Sequence, residues 1–458
     1  MTPEKFKIRM EKLLGPEYPA FIDALENQDA VRAVRINTLK TDVSEFVKNS
    51  PFNLTSLPYT DEGFIIENSD GIGQSPEHHS GMIYVQDPAA MSPLCALDIL
   101  PGWRVLDLCS APGGKSGQAA AKIGDSGFIH SNEYVPKRAK ITVSNFERLG
   151  IKNAFVTSLD TKELASMYEN FFDLVIADVP CSGEGMFRKS FEANDEWSEE
   201  NVRMCALRQT EILNNSKSLV KEGGYLIYST CTYSLEENEM IIDKFLSENT
   251  DYSLVPVREE LSAVTADGIN FDGAYSKNLI LARRFYPHIS RGEGQFCALL
   301  KRCTGRELKE RILYSDASSR LSKPEDTAIK NFFKENLISE PCGTVCKVGE
   351  NIILKSHGMP VPKKSVFSAG VLLGRVEKCR LIPAHQFFSC FGKLFKRQEN
   401  LTRGDIRVEK YLRGEEISQS SFEGSGWCAV IYEGAPLGGG KASLGMIKNH
   451  YPKGLRNN

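Results

Sequence analysis

Two cysteines occupy matching places in this sequence. The stretch Phe172-Asp-Leu-Val-Ile-Ala-Asp-Val-Pro-Cys-Ser-Gly runs an apolar strand into Cys181, and Gly224-Tyr-Leu-Ile-Tyr-Ser-Thr-Cys-Thr-Tyr-Ser does the same for Cys231. A lone cysteine is usually a small buried hydrophobe. Two at equivalent ends of neighbouring strands point instead to thiol chemistry, in which a nucleophile splits one difficult step into two easier ones. Methylation at carbon 5 of cytosine needs such help, because that carbon is a poor nucleophile. A thiolate adding to carbon 6 turns the ring into an enamine whose carbon 5 can attack. A base then removes the carbon-5 proton and the thiol leaves. A free thiol with pKa about 8.5 is only a few per cent thiolate at neutral pH, so nearby positive charge favours the reaction. Asp178, just before Cys181, is a candidate acceptor for the cytosine amino group. The residues alone leave open which cysteine attacks.

A cofactor loop stands upstream, in Val105-Leu-Asp-Leu-Cys-Ser-Ala-Pro-Gly-Gly-Lys-Ser-Gly. A strand ending near Asp107, a tight turn through Gly113 and Gly114, and a helix from about Ser116 place it where open α/β sheets bind ligands. The glycines let the backbone approach a ligand without a Cβ clash. A phosphate-binding loop would need a glycine where Cys109 stands, and the dinucleotide fingerprint G-x-G-x-x-G is absent. Glu133 follows the next strand, where a carboxylate can accept both ribose hydroxyls. Asp160 follows the third, where it could accept from an adenine amino group, and Asp178 ends the fourth.

These residues need an α/β frame. Strands are expected at Arg104–Leu108, Phe128–Asn132, Ala154–Thr157, Leu174–Ala177 and Tyr225–Tyr228, with a later pair near Arg283–His288 and Gln295–Lys301. Their alternation with helices predicts a Rossmann-like, doubly wound α/β domain over residues 81–303. Residues 1–80 mix short helices with the strand-like Ala33-Val-Arg-Ile-Asn-Thr-Leu, as an N-terminal α+β domain. A polar stretch from Thr304 to about Lys330 opens a zone, 304–384, read as an intermediate domain or linker. Residues 385–458 are glycine-rich and made of short strands.

The 458 residues, 41% hydrophobic and 25% charged, suit a globular protein of several domains. The apolar stretches are strand-length, so no membrane span is expected, and the N-terminus lacks the apolar core of a signal peptide. Twelve cysteines without a paired Cys-x-x-Cys predict reduced thiols and no metal, Cys342-x-x-x-Cys346 standing alone. A net charge of −3 means that any nucleic-acid surface must be local. The tail supplies one candidate, since after Glu433 it carries Lys441, Lys448, Lys453 and Arg456, no acid, and the interleaved His450 and Tyr451.

The words Asp-Leu-Cys-Ser-Ala-Pro-Gly-Gly-Lys (107–115), Asp-Val-Pro-Cys-Ser-Gly-Glu-Gly (178–185) and Ser-Thr-Cys-Thr-Tyr-Ser (229–234) closely resemble the Nol/Nop/Sun family of RNA 5-methylcytosine methyltransferases. Gln86-Asp-Pro-Ala-Ala-Met, Arg35-Ile-Asn-Thr-Leu-Lys and Gly292-Glu-Gly are further family words; Leu174 departs from a small or basic preference without touching the chemistry. The resemblance implies a class I methyltransferase domain using S-adenosyl-L-methionine, with RNA-binding N-terminal and PUA-like C-terminal domains. It makes Cys231 the nucleophile and Cys181 the residue that assists product release. It carries cofactor contacts to Asp107, Cys109, Ser110, Ala111, Pro112, Gly113, Gly114, Lys115, Glu133, Asp160 and Asp178. The tail Lys448-Asn-His-Tyr-Pro-Lys-Gly-Leu-Arg resembles the bacterial branch acting on 16S ribosomal RNA, which implies a cytoplasmic enzyme whose partner is ribosomal RNA, free or within the small subunit. A tRNA methyltransferase of the same chemistry and an RNA-binding ribosome assembly factor are the alternatives. A pure binder would need neither the paired cysteines nor the cofactor loop.

Overall fold

A computed structural model describes residues 2–457 apart from 68, 69, 304, 306, 307 and 357. Thr304, where the polar stretch was placed, thus lies outside the described residues.

The central sheet is built from β1 (Arg104–Asp107), β2 (Phe128–Asn132), β3 (Ala154–Thr157), β4 (Phe172–Asp178), β5 (Val220–Thr230), β6 (Arg283–Phe285) and β7 (Gln295–Arg302). Their spatial order is 3-2-1-4-5-7-6. Pairs among β1 to β5 are parallel, whereas β7 runs antiparallel to β5 and to β6. Parallel strands covered on both faces read as continuous apolar runs. Accordingly Leu106, Val175 and Leu226 join one buried cluster, and their neighbours Val105, Leu174 and Ile227 join the other.

Helices α1 (Gly114–Ile123) and α2 (Pro136–Leu149) return the chain from β1 to β2 and from β2 to β3, and α3 (Glu199–Ser216) precedes β5. Pro136 starts α2 with its φ already set, and Gly150, at φ 70°, ends it. The order reverses at β1, so the crevice outside the carboxyl ends of β1 and β4 is the topological switch point. β5 is longer than its apolar word, because a bulge between Val220 and Tyr225 lets a charged, glycine-bearing segment stay in the ladder. The expected strand near Arg283–His288 ends at Phe285, where the chain turns (Ile289 N to Tyr286 O, 3.0 Å).

The N-terminal residues form helices Glu4–Leu14 and Tyr18–Asn27 and a four-stranded antiparallel sheet. Residues of the 304–384 zone do not stand apart: β8 (Val366–Ala369) pairs with β3 and extends the central sheet. The same zone builds the helix Lys323–Asn336 and a separate four-stranded sheet. The C-terminal residues form a five-stranded sheet behind α4 (His385–Phe391). N- and C-terminal parts share one core, in which Val34, Ile36 and Phe64 meet Leu401, Val430 and Tyr432. Among the described residues no helix is long and apolar enough to cross a membrane.

Candidate active site

The turn after β1 is shaped by Gly113, whose φ of 104° lies in the region that glycine tolerates. Helix α1 consequently starts at Gly114, two residues earlier than the sequence suggests. A Cβ on Gly114 would come 3.0 Å from the Tyr84 ring. The loop walls a cavity of about 200 Å³ lined by Tyr84, Val85, Gln86, Ala90, Asp107, Cys109, Ser110, Ala111, Pro112, Gly114, Lys115 and Asp178. Gly113 makes the turn behind it.

Buried Asp107 accepts from Ser116 Oγ at 2.6 Å and from Cys109 N at 3.3 Å. Burial, with Asp178 nearby, pushes its carboxyl up to about 7 against those bonds and Lys115. Ser110 Oγ is buried and has no hydrogen-bond partner among the described residues. An unpaired buried hydroxyl on a cavity wall calls for a ligand group to complete it. Buried Glu133 braces the loop, accepting from Ala111 N at 3.3 Å and from Val135 N at 3.0 Å. Asp160 is exposed, caps the helix Thr161–Ala165 through Lys162 N at 2.8 Å, and is not part of the cavity wall. These residues fit a small cationic cofactor: a carboxylate at the strand end, a hydroxyl to spare and a close glycine backbone.

Beside the cavity the two sulfurs lie 3.2 Å apart. That hydrogen bond, then burial, raises Cys181 well above an ordinary thiol. Asp178 accepts from Lys115 Nζ at 2.8 Å, Ser229 Oγ at 2.6 Å and Gln295 Nε2 at 3.4 Å. Burial opposes the charge on Lys115, but Asp178 outweighs it, with Asp107 and Cys231 adding, and its pKa is raised. A fixed cation therefore acts on Cys231. Cys109 is pushed well above the thiol range by burial and by Asp107, Glu133 and Asp178, which makes it inert.

Sequence reasoning missed what lies behind the thiols. Gly185 N donates to Cys231 O at 2.9 Å, and a Cβ on Gly294 would fall 2.5 Å from the Tyr233 ring and 2.7 Å from Gly185 Cα. The word Gly292-Glu-Gly was visible, yet its contact with the Cys181 turn is non-local. Ser182, Thr232, Glu184 and Glu237 form a buried polar chain there, with Ser182 Oγ and Thr232 Oγ1 2.9 Å apart. Among the described residues no three His, Cys, Asp or Glu side chains gather as metal ligands.

The tail requires a correction. Tyr451 is 2% exposed and bonds to His79 Nδ1 at 2.8 Å, so it cannot stack on a base. Arg456 turns back to Tyr451 O at 3.0 Å. Lys441 and Lys448 do stand side by side on adjacent strands, with Lys441 Nζ 5.7 Å from the Trp427 ring. Exposed His450 meets the same ring at 4.8 Å. Trp427, which the sequence reading passed over, is the aromatic among the cations.

Comparison with known proteins agrees with this geometry. Residues 94–301 match the family model "16S rRNA methyltransferase RsmB/F", residues 2–88 the "N-terminal domain of 16S rRNA methyltransferase RsmF", and residues 398–457 the "Methyltransferase RsmF PUA domain". Ribosomal RNA small subunit methyltransferase F of Escherichia fergusonii is 36% identical over 485 residues, covering 99% of this chain and 96% of that one. The protein of the same name from Psychromonas ingrahamii is 30% identical over 448 residues, covering 93% and 90%. Among solved structures, a methyltransferase homolog protein from Pyrococcus horikoshii has a TM-score of 0.57 at 29% identity, over 66% of this chain and 95% of that one. With the three models matched in order along it and relatives of one description covering more than nine-tenths of it, the chain belongs to the RsmB/F family of 16S rRNA methyltransferases, in its RsmF branch.

Proposed function

We propose that the protein methylates carbon 5 of cytosine in 16S ribosomal RNA, using S-adenosyl-L-methionine and a covalent adduct to Cys231. The observation that carries this reading is the pair of sulfurs 3.2 Å apart beside the Lys115–Asp178 ion pair, at the strand ends next to the glycine loop. Asp107, Cys109 to Lys115, Glu133 and Asp178 would hold the cofactor. Bound there, it supplies an electrophilic methyl group on a sulfonium.

Cys231 is the sulfur that adds to carbon 6, as the family resemblance implies, and Lys115 supplies a nearby charge. Asp178 accepts from the cytosine amino group while Lys115 and Ser229 hold the carboxylate in place. Cys181, already in contact with Cys231, assists the elimination that frees the product. The base must leave its stack to reach this recess, at a cost of a few kcal/mol. The relatives' names support ribosomal RNA as the partner; that it acts in the cytoplasm, on RNA free or within the small subunit, rests on the sequence resemblance.

A bisulfite map of ribosomal and transfer RNA from a strain lacking the protein tests this. We expect protection to vanish at one or more 16S cytosines and to return with the intact gene but not with Cys231→Ala. Loss confined to tRNA would move the substrate, and no loss anywhere would sink carbon-5 methylation.

A further inference from the structure

Ser182 and Thr232 each follow a catalytic cysteine. Their two hydroxyls meet as the two sulfurs do. Four oxygen-bearing groups are joined in series there. Glu237 Oε1 meets Ser182 Oγ in a very short contact, Ser182 Oγ lies 2.9 Å from Thr232 Oγ1, and Thr232 Oγ1 lies 2.9 Å from Glu184 Oε2. All four residues are buried.

Three oxygen–oxygen contacts need three protons, and two hydroxyls bring two. With both carboxyls ionised, one contact would set lone pair against lone pair. The third proton must therefore sit on a carboxyl. Glu184 is already an acceptor at both oxygens, from Trp197 Nε1 at 2.9 Å and from Tyr233 N at 3.0 Å. Glu237 Oε2 accepts from Ser182 N at 2.9 Å and Gln209 Nε2 at 2.8 Å, whereas Oε1 meets Ser182 Oγ alone among the described residues. Ser234 N donates to Thr232 Oγ1 at 3.3 Å, which fits a threonine that accepts twice and donates once.

We infer that Glu237 is a neutral carboxylic acid near pH 7, donating from Oε1 to Ser182, which donates to Thr232, which donates to the ionised Glu184. The chain is a positioning device, holding the Cys181 and Cys231 turns face to face. Among the described residues, the titratable groups that act on Glu237 or feel its charge include Cys181, Cys205, Tyr228 and Glu184, none of them a cation that would favour its ionised form. Burial pushes Glu237 up to about 7, against its bonds from Ser182 and Gln209 and with Glu184 adding, in the direction the proton count requires.

Glutamine at 237 reproduces the neutral acid, with an amide N–H in place of the O–H. Glutamine at 184 cannot, because its amide would face donors. Infrared difference spectra of the full-length protein at neutral pH, parent minus Glu237→Gln, should show the C=O stretch of a buried carboxylic acid beyond that of Asp107, absent from parent minus Glu184→Gln. Glu237→Ala should lower kcat roughly 10- to 100-fold through misplacement of the thiols, with cofactor KM unchanged. Glu237→Gln should restore turnover to within about threefold of the parent, a small barrier change. A spectrum without that band, or a glutamine variant as impaired as the alanine one, overturns the proposal. Where the alanine variant fails to fold, the infrared comparison decides alone. Only the link to kcat rests on the reading of Cys181 and Cys231 as the catalytic pair. A band present in a protein that methylates no cytosine would defeat that reading and leave the proton in place.

Discussion

At the scale of single residues, the two thiols differ although they touch. Cys181 is held in its protonated form by Cys231 and by burial, while Cys231 faces the charge of Lys115. Cys231→Ala should abolish methyl transfer and leave cofactor affinity intact, read by tritium-methyl transfer beside calorimetric titration; retained activity would remove it as nucleophile. Cys181→Ala should instead accumulate an enzyme–RNA adduct stable in denaturing gels, absent from the double variant. Normal turnover without adduct would end the release role. Asp107 adds a pH dependence. Its carboxyl, raised to about 7 by burial, is largely protonated below that pH in the free protein. A cationic cofactor in the cavity favours the ionised form, so binding should release a proton and tighten as pH rises towards about 7. Calorimetry in buffers of different ionisation enthalpy measures this directly. Identical heats in all buffers below about pH 7 would mean that Asp107 is already ionised.

At the scale of elements, what was legible was local. The apolar words of β1 to β5 alternate with helices, and Cys181 and Cys231 stand at their ends, so sheet, loop and both thiols could be read from the chain. Asp160 shows the limit, because a residue just past a strand can serve as a helix cap and lie outside the cavity. Contacts between distant segments left no such signature. Val366–Ala369 joining β3, Glu237 reaching Ser182, and Gly294 lying against Gly185 depend on the fold being complete. The last of these is testable. Gly294→Ala would set a methyl group into the Tyr233 ring and the backbone of Gly185, which holds the Cys231 carbonyl. Tyr233 is packed among Phe6, Phe21 and Tyr286 and has little room to yield. Such overpacking typically costs about 1–3 kcal/mol. We expect a stability loss of that size in denaturant unfolding, together with slowed methyl transfer and unchanged cofactor affinity. A variant as stable and active as the parent would show that the two glycines need not touch.

At the scale of the whole molecule, the C-terminal sheet is not an appended module. Lys40, from the N-terminal part, donates to Ser389 O at 2.6 Å, Ser389 Oγ at 3.0 Å and Pro436 O at 3.1 Å. Ser389 in turn donates to Glu147 O on α2 at 2.7 Å, and the shared core joins both ends of the chain. Removing everything from His385 would strip that core, so truncation would report on stability rather than on RNA binding. Point changes are the sharper tool, and the structure says where to make them. Lys441 and Lys448 lie on adjacent strands, Trp427 and exposed His450 adjoin them, and Tyr451 and Arg456 are engaged elsewhere. Two exposed cations beside an aromatic ring suit a phosphate backbone with an unpaired base against the ring. Each neutralised phosphate contributes about 0.7–0.9 to the slope of log affinity against log salt. The double change Lys441→Ala, Lys448→Ala should therefore weaken RNA binding and flatten the slope by about 1–2. Trp427→Ala should weaken it with little change in slope, since stacking releases no counterions. Cofactor titration serves as the control and should match the parent, because the cavity at β1 and β4 lies in another part of the fold. An unchanged salt slope in the double lysine variant would place the RNA path on a different face.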